Sequence, residues 1–243
     1  MNIPRKFYLR REELKPDTAA QNAIRQGLWM QGVETVDYFD PAEIAGFDDL
    51  GPDVGVAGYI GDVQTALLHL GRSLPPNMDY PKELAAFRGR RIFASTLGEV
   101  RAKRETCFIK PARDHKLFTG FVWSDTAEGR RDAVAVHDDI PVWVSDPVRF
   151  VSEYRTFVLE DEILDCRRYK GDWSKAPNRK IVEQAVDKLK GVAPVAYCVD
   201  FGVTHDGATL LVEMNDGYAM GPYGLAPPQY ACMITARWRQ LIQ

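Results

Sequence analysis

The sequence predicts a chain of mixed α/β and α+β class, with a small parallel α/β unit over residues 1–80 and a larger α+β unit over 81–243. Three observations carry this. Within the first 80 residues, strand-like apolar runs alternate with helix-like ones, as in a parallel sheet with crossover helices. Residues 74–80, LPPNMDY, contain adjacent prolines and an asparagine that favour extended or turning backbone, which marks a boundary. Residues 198–215, CVDFGVTHDGATLLVEMN, form two strands joined at Asp206-Gly207, a dipeptide suited to the positive φ angles of a tight hairpin turn.

Residues 6–9 are a short strand. In the helix that follows, over about 18–31, Ala20, Ala23, Ile24, Leu28 and Met30 roughly keep helical spacing; Asp17 is placed to cap it and Gly32 to end it. Residues 34–39 and 54–59 are further strands, and 63–70 is a helix stopped by Gly71. The pattern Gly58-x-x-Gly61 marks a tight strand-to-helix turn more readily than a phosphate site.

Past the linker, residues 88–116 carry six arginines and three lysines against Glu99, Glu105 and Asp114, an excess of six positive charges. This fits a solvated basic surface, a nucleic-acid patch or a polyphosphate site. Residues 107–112, CFIKPA, are a strand on which Lys110 sits among apolar neighbours, where it either snorkels to the surface or serves an anion. After a basic loop the chain returns as a second strand, residues 118–123. Residues 141–146, PVWVSD, are apolar and extended, as in a buried strand. Residues 151–169 make another hairpin with its turn at Glu160-Asp161. A two-residue count sets Glu153 opposite Arg168 and puts Arg155 on the same face as Glu153, consistent with a surface ion pair. A helix over 177–190 places Ile181, Val182, Ala185, Val186 and Leu189 on one stripe, and a last helix over 227–243 packs Met233, Ile234, Trp238 and Leu241.

In the C-terminal hairpin, counting out from Asp206-Gly207 pairs Val203 with Leu210, Phe201 with Val212 and Val199 with Met214, an apolar face. On the other face Asp200 opposes Glu213, with Asn215 two residues further along. Facing carboxylates repel by ~0.2–1 kcal/mol unless a cation lies between them, and two carboxylates plus an amide oxygen suit Mg²⁺. The glycine-rich run after them, NDGYAMGPYGL, lets backbone approach a ligand closely.

Composition sets the class. Apolar residues at 45%, charged residues at 27% and a net charge of -3 describe an ordinary globular protein, with no global signal for nucleic acid or membrane. Four widely spaced cysteines without C-x-x-C, and an N-terminus without an apolar leader, point to reduced thiols and a cytoplasmic location. The four histidines show no metal spacing, and no Ser-His-Asp or Cys-His arrangement is legible. Nothing in the sequence sets the oligomeric state.

The pattern D-x-G at Asp200 and Gly202, E-x-N at Glu213 and Asn215, and the small-residue loop after it resemble the metal-binding end of the ATP-grasp superfamily. FIKP followed by KxFTGF, with Lys110 and Lys116, resembles its clade characterised by one arginine and two lysines. The resemblance implies two α+β subdomains clamping ATP, at about 81–141 and 147–243, with residues 142–146 as the hinge and 1–80 as the small leading domain. It assigns Mg²⁺ to Asp200, Glu213 and Asn215, phosphates to Lys110 and Lys116, adenine to Val142, Trp143, Val144 and Ser145, and the ribose to Glu153. Arg155, with Arg168 second, becomes the arginine near the transferred phosphate or the carboxylate. The segment 111–116 departs from many members in lacking glycine, so side-chain cations carry the phosphates. The implied activity is an ATP-dependent ligase acting through an acyl phosphate, with a peptide or amino acid as the implied substrate class. A phosphotransferase, or a nucleotide-binding module without turnover, stands as the alternative.

Overall fold

The computed structural model of the protein describes residues 3–112, 117–130 and 135–243. The first unit is β1 (Lys6–Arg10), α1 (Ala19–Met30), β2 (Glu34–Tyr38), β3 (Val54–Ala57) and α2 (Ile60–His69), with strands parallel in the order β2-β1-β3. The cap of α1 is Thr18 and not Asp17: the Gln21 amide donates to Thr18 Oγ1, and Gln21 Oε1 accepts from the Thr18 amide at 2.7 Å. Asp17 instead holds Arg11 at 3.1 Å.

The second sheet contains β4 (Ile92–Thr96), β5 (Cys107–Pro111), β6 (Phe121–Trp123) and β7 (Pro141–Ser145), antiparallel in the order β4-β7-β5-β6; α3 (Leu97–Lys103) follows β4, and α4 (Ala127–Arg130) follows β6. Strand β4 and α3 carry little sequence signal. β4 is an edge strand buried on neither face, so its apolar residues need not alternate.

The third sheet, β11-β10-β8-β9, is built from β8 (Phe150–Leu159), β9 (Glu162–Gly171), β10 (Ala196–Thr204) and β11 (Thr209–Asp216), with α5 (Arg179–Leu189) between the hairpins and α6 (Pro227–Ile242) closing the chain. One face packs Val158, Val199, Phe201 and Leu211 against Val182, Val186 and Leu189 of α5. On the other, Phe157, Ala196 and Cys198 join Leu9, Leu28, Trp238 and Ile234. Because α6 returns to cover α1, residues on either side of position 80 share this core. Among the described residues, no helix is long and apolar enough to cross a membrane.

Both hairpins depart from the simple register. The loop of the last one has three residues, since the Thr204 amide donates to Ala208 O at 2.9 Å and the Gly207 amide to Thr204 O at 3.0 Å, with Gly207 at φ +87°. This shifts the pairs to Val203↔Thr209 and Phe201↔Leu211. A bulge between Asp200 and Phe201 then absorbs Val212 and restores Val199↔Met214 and Asp200↔Glu213. Leu211 therefore takes the core place that the sequence count assigns to Val212. In the β8-β9 hairpin, Glu160 and Asp161 do form the turn, both at positive φ, but two register shifts pair Glu153 with Lys170 and Tyr154 with Arg168.

Candidate active site

Period-two alternation continues the apolar face of the third sheet into a polar one: Glu153 and Arg155 follow from Phe157 on β8, and Asp200 from Cys198 on β10. Asp200 pairs with Arg155 across the ladder, and the guanidinium grips it with two bonds, Nε to Oδ1 at 2.8 Å and Nη2 to Oδ2 at 2.7 Å. Both side chains are buried. Burial pushes Asp200 up to about 6, opposed by the charge and hydrogen bonds of Arg155. Burial acts to lower Arg155, but Asp200 outweighs it and holds the guanidinium protonated. Two aromatic rings cover that guanidinium, Tyr223 at 4.9 Å and Tyr169 at 6.0 Å, themselves stacked at 4.9 Å. The second register shift, at Tyr169, brings that ring inward, where its hydroxyl donates to Glu153 Oε2 at 2.9 Å.

Lys110 reaches from β5 to the third sheet. Its Nζ donates to Glu213 Oε2 at 2.7 Å and to Asp79 Oδ1, and Asn215 Nδ2 donates to the other oxygen of Glu213 at 3.0 Å. Burial disfavours the charged lysine, yet Glu213, Tyr80 and Asp79 together raise its pKa. Burial likewise opposes ionised Glu213, and Lys110 overrides it, holding the carboxyl below the usual range.

Sequence reasoning missed Asp79. It lies in the linker, braced by Asn77 Nδ2 at 2.8 Å, and its carbonyl accepts from the Met214 amide at 2.9 Å. The one available signal was an acid at the end of a turn-forming segment, which is common on any surface.

Two cavities meet at this junction. One of about 490 Å³ lies between the second and third sheets, walled by Phe108, Phe121, Val148, Phe150 and Val212, with Arg90, Arg149 and Lys170 at its edges. The other, about 330 Å³, opens toward the first unit between Ile60, Gln64, Pro76, Asn77 and Tyr218. Lys110, Gly120 and Glu213 line both.

The other sequence-derived site residues fall as follows. Of the four hinge residues only Ser145 lines the larger cavity; Val142 and Val144 point into the core of the second sheet, and Trp143 packs edge-on to Tyr80 at 5.2 Å. The wall there comes from Pro147 to Phe150, after β7, because the odd and even residues of a central strand are both taken by packing. Glu153 lines the cavity and accepts from Lys170 at 2.6 Å. Arg168 is not brought in: it is exposed and donates to Gly171 O at 2.6 Å, since the register shift turns it to the outer face. Lys116 lies outside the described residues.

Residues 87–233 match a family described as an ATP-grasp domain, the second family of the clade named for one arginine and two lysines. The chain belongs to the ATP-grasp superfamily. Solved ATP-grasp structures share the fold along the whole length. D-alanine–D-alanine ligase from Bacillus anthracis has a TM-score of 0.61 at 13% identity, covering 99% of each chain. L-amino acid ligase from Bacillus licheniformis has 0.61 at 10%, covering 100% of this chain and 76% of the other. The ATP-grasp ligase PsnB, complexed with a minimal precursor, has 0.51 at 16%, covering 96% and 99%. A comparison with curated proteins finds no match.

As an ATP-grasp site, the donor set fits a nucleotide: the larger cavity combines apolar walls for a base with cations for phosphates. For Mg²⁺ the fit is narrower. Glu213 and Asn215 present oxygen-bearing side chains at the cavity junction, while both oxygens of Asp200 are committed to Arg155. Among the described residues no group of three His, Cys, Asp or Glu side chains is placed to hold a metal ion.

Proposed function

We propose that the chain is an ATP- and Mg²⁺-dependent ligase that activates a carboxylate as an acyl phosphate and joins it to an amine or another nucleophile, with an amino acid or peptide as substrate. The observation that carries the reading is the meeting of a nucleotide-sized cavity and a second cavity at Lys110 and Glu213. A γ-phosphate entering from one side and a carboxylate from the other reach the same cation. The fold neighbours named for D-alanine and L-amino acids favour that substrate class.

In this reading the carboxylate oxygen attacks the γ-phosphorus and ADP departs; the nucleophile then adds to the acyl carbonyl, phosphate leaves, and the amine gives up a proton. Mg²⁺ held by Glu213 and Asn215 supplies charge neutralisation at the phosphates. Lys110 stays protonated and offers a point charge to the transferred group. Lys116 is assigned to the same phosphates. Arg155 is held by Asp200 beneath two tyrosine rings, which fixes its planar face toward the reacting oxygens. Ser145 and residues 147–150 frame the base, and Glu153 the ribose. No side-chain nucleophile is required, since positioning and charge supply the catalysis.

The test is ADP release from ATP and Mg²⁺ with a panel of amino acids and short peptides, with products read by mass spectrometry. An amide product with one ADP per bond supports the ligase. A stable phosphorylated acceptor without ligation replaces it with phosphotransfer, and ATP that binds without turnover on any substrate counts against catalysis.

A further inference from the structure

The strand order β2-β1-β3 places a topological switch at the carboxyl ends of β1 and β3, where the chain leaves to opposite sides and opens a crevice. A small cavity of about 50 Å³ sits there, lined by Arg10 at the end of β1, Gly58 and Tyr59 after β3, Thr18 and Gln21 at the start of α1, and Tyr218. We propose that this cavity is a carboxylate-binding subsite with Arg10 as its cation, and that it holds a non-reacting carboxylate of the substrate. The assignment of a substrate to it rests on the ligase reading above.

Arg10 Nε and Nη1 are buried without a hydrogen-bond partner, and so is Tyr38 Oη beneath the guanidinium, whose carbon lies 5.8 Å from the tyrosine ring. Buried donors are normally paired, so an arginine left this way is short of an acceptor. Its nearest carboxylate, Asp62, stands 4.0 Å from Nη1, beyond hydrogen-bond reach, and accepts the Tyr59 amide at 2.7 Å to cap α2. Glycine at 58 is what lets these groups converge: a Cβ there would lie 2.4 Å from Asp62 Oδ2, 2.7 Å from Arg10 Cβ and 3.1 Å from Tyr38 Oη. The positive ends of α1 and α2 flank the cavity and add to its preference for an anion.

Size and charge choose the anion. A water takes ~30 Å³ in the liquid, so this space admits a terminal group and not a whole ligand. With Asp62 beside it, a singly charged carboxylate fits better than a dianionic phosphate.

The cavity also continues toward the reaction junction. Tyr218 lines both this space and the 330 Å³ cavity, and Gln64, on the far side, donates to its hydroxyl at 3.4 Å. A substrate reacting at Lys110 and Glu213 can therefore extend past Tyr218 and end on Arg10.

The test uses the full chain, ¹⁵N-labelled, with the Arg10 Nε–Hε signal assigned by its loss in Arg10→Lys. Titration with acetate is expected to move that signal saturably, acetamide to leave it in place, and inorganic phosphate to move it less than acetate at equal concentration. In the ADP-release assay, a substrate bearing a free non-reacting carboxylate is expected to show KM about tenfold or more below its amide, a ratio that Arg10→Lys reduces. No acetate shift, an equal shift with acetamide, or a larger one with phosphate overturns the subsite. An acetate response in a chain that fails to bind ATP leaves the subsite standing and removes the ligase reading. Normal ATP turnover with no acetate response does the reverse.

Discussion

Replacing Lys110 by methionine removes the cation from a junction that holds two carboxylates. The lysine side chain is 10% exposed, Asp79 2% and Glu213 28%. Taking one partner from a buried ion pair costs ~3–5 kcal/mol, because the charge left behind keeps its desolvation penalty without its attraction. Glu213 can recruit water and Asp79 retains Asn77, so the lower end of that range, about 3 kcal/mol at neutral pH, is expected. The pH dependence has a definite sign. In the wild type, Glu213 lies below its ordinary 4.5, so its contribution is present above that pH and is lost on acidification. Without Lys110 that contribution disappears and the facing carboxylates favour a bound proton, so the deficit is larger at pH 7.5 than at pH 5. Urea denaturation followed by tryptophan fluorescence at both pH values measures this, with Lys103→Met as control. Lys103 is exposed and lies 6.0 Å from the Phe93 ring, so that change is expected to stay within ~0.5 kcal/mol. A Lys110→Met deficit below about 1 kcal/mol, or one equal at both pH values, refutes the account of the junction as a charge-compensated unit.

Glu213→Gln and Asn215→Ala are expected to lower Mg²⁺-dependent ATP turnover by about 100-fold or more while circular dichroism stays unchanged; full activity in either removes them from the metal site. For Asp200 the native value of about 6 lies above the unfolded 3.8, so this group's contribution to stability falls as pH rises from about 4 to about 6. Asp200→Asn, which does not titrate, is therefore expected to compare less well with the wild type at pH 4.5 than at pH 7.5, in urea titrations without nucleotide or metal; the opposite order contradicts the assignment. Gly202→Ala would set a Cβ 2.2 Å from the Phe150 ring, which lines the larger cavity. It is expected to cost ~1–3 kcal/mol and to weaken ATP binding measured by calorimetry, and an unchanged affinity would mean that Phe150 does not shape the nucleotide site.

Most elements were legible because their burial is one-sided. The stripe on α5 and the alternation in β10 each follow from a single covered face, and both appear where periodicity puts them. β4 and α3 escaped because an edge strand with exposed residues leaves no period to find. In the site, Asp200 and Glu213 meet as counted, though for a reason the count did not contain: a three-residue loop shifts the ladder by one and the bulge at Val212 shifts it back. The same kind of irregularity worked against Arg168, which two shifts in β8-β9 carry to the outside while Tyr169 turns in. Bulges depend on sheet twist and on packing from both sides, so local residue types do not announce them.

By itself the sequence determined which residues could carry charge to a nucleotide and which strands bear them, because residue type and period-two alternation are local properties. The pairing of those charges was decided only in three dimensions. Asp200 turns to Arg155 and not toward Glu213, and Lys110 is shared between Glu213 and an unforeseen Asp79. Buried charges take the nearest compensating partner, and which partner is nearest is set by how three sheets and a linker pack together, across separations of 31 to 103 residues.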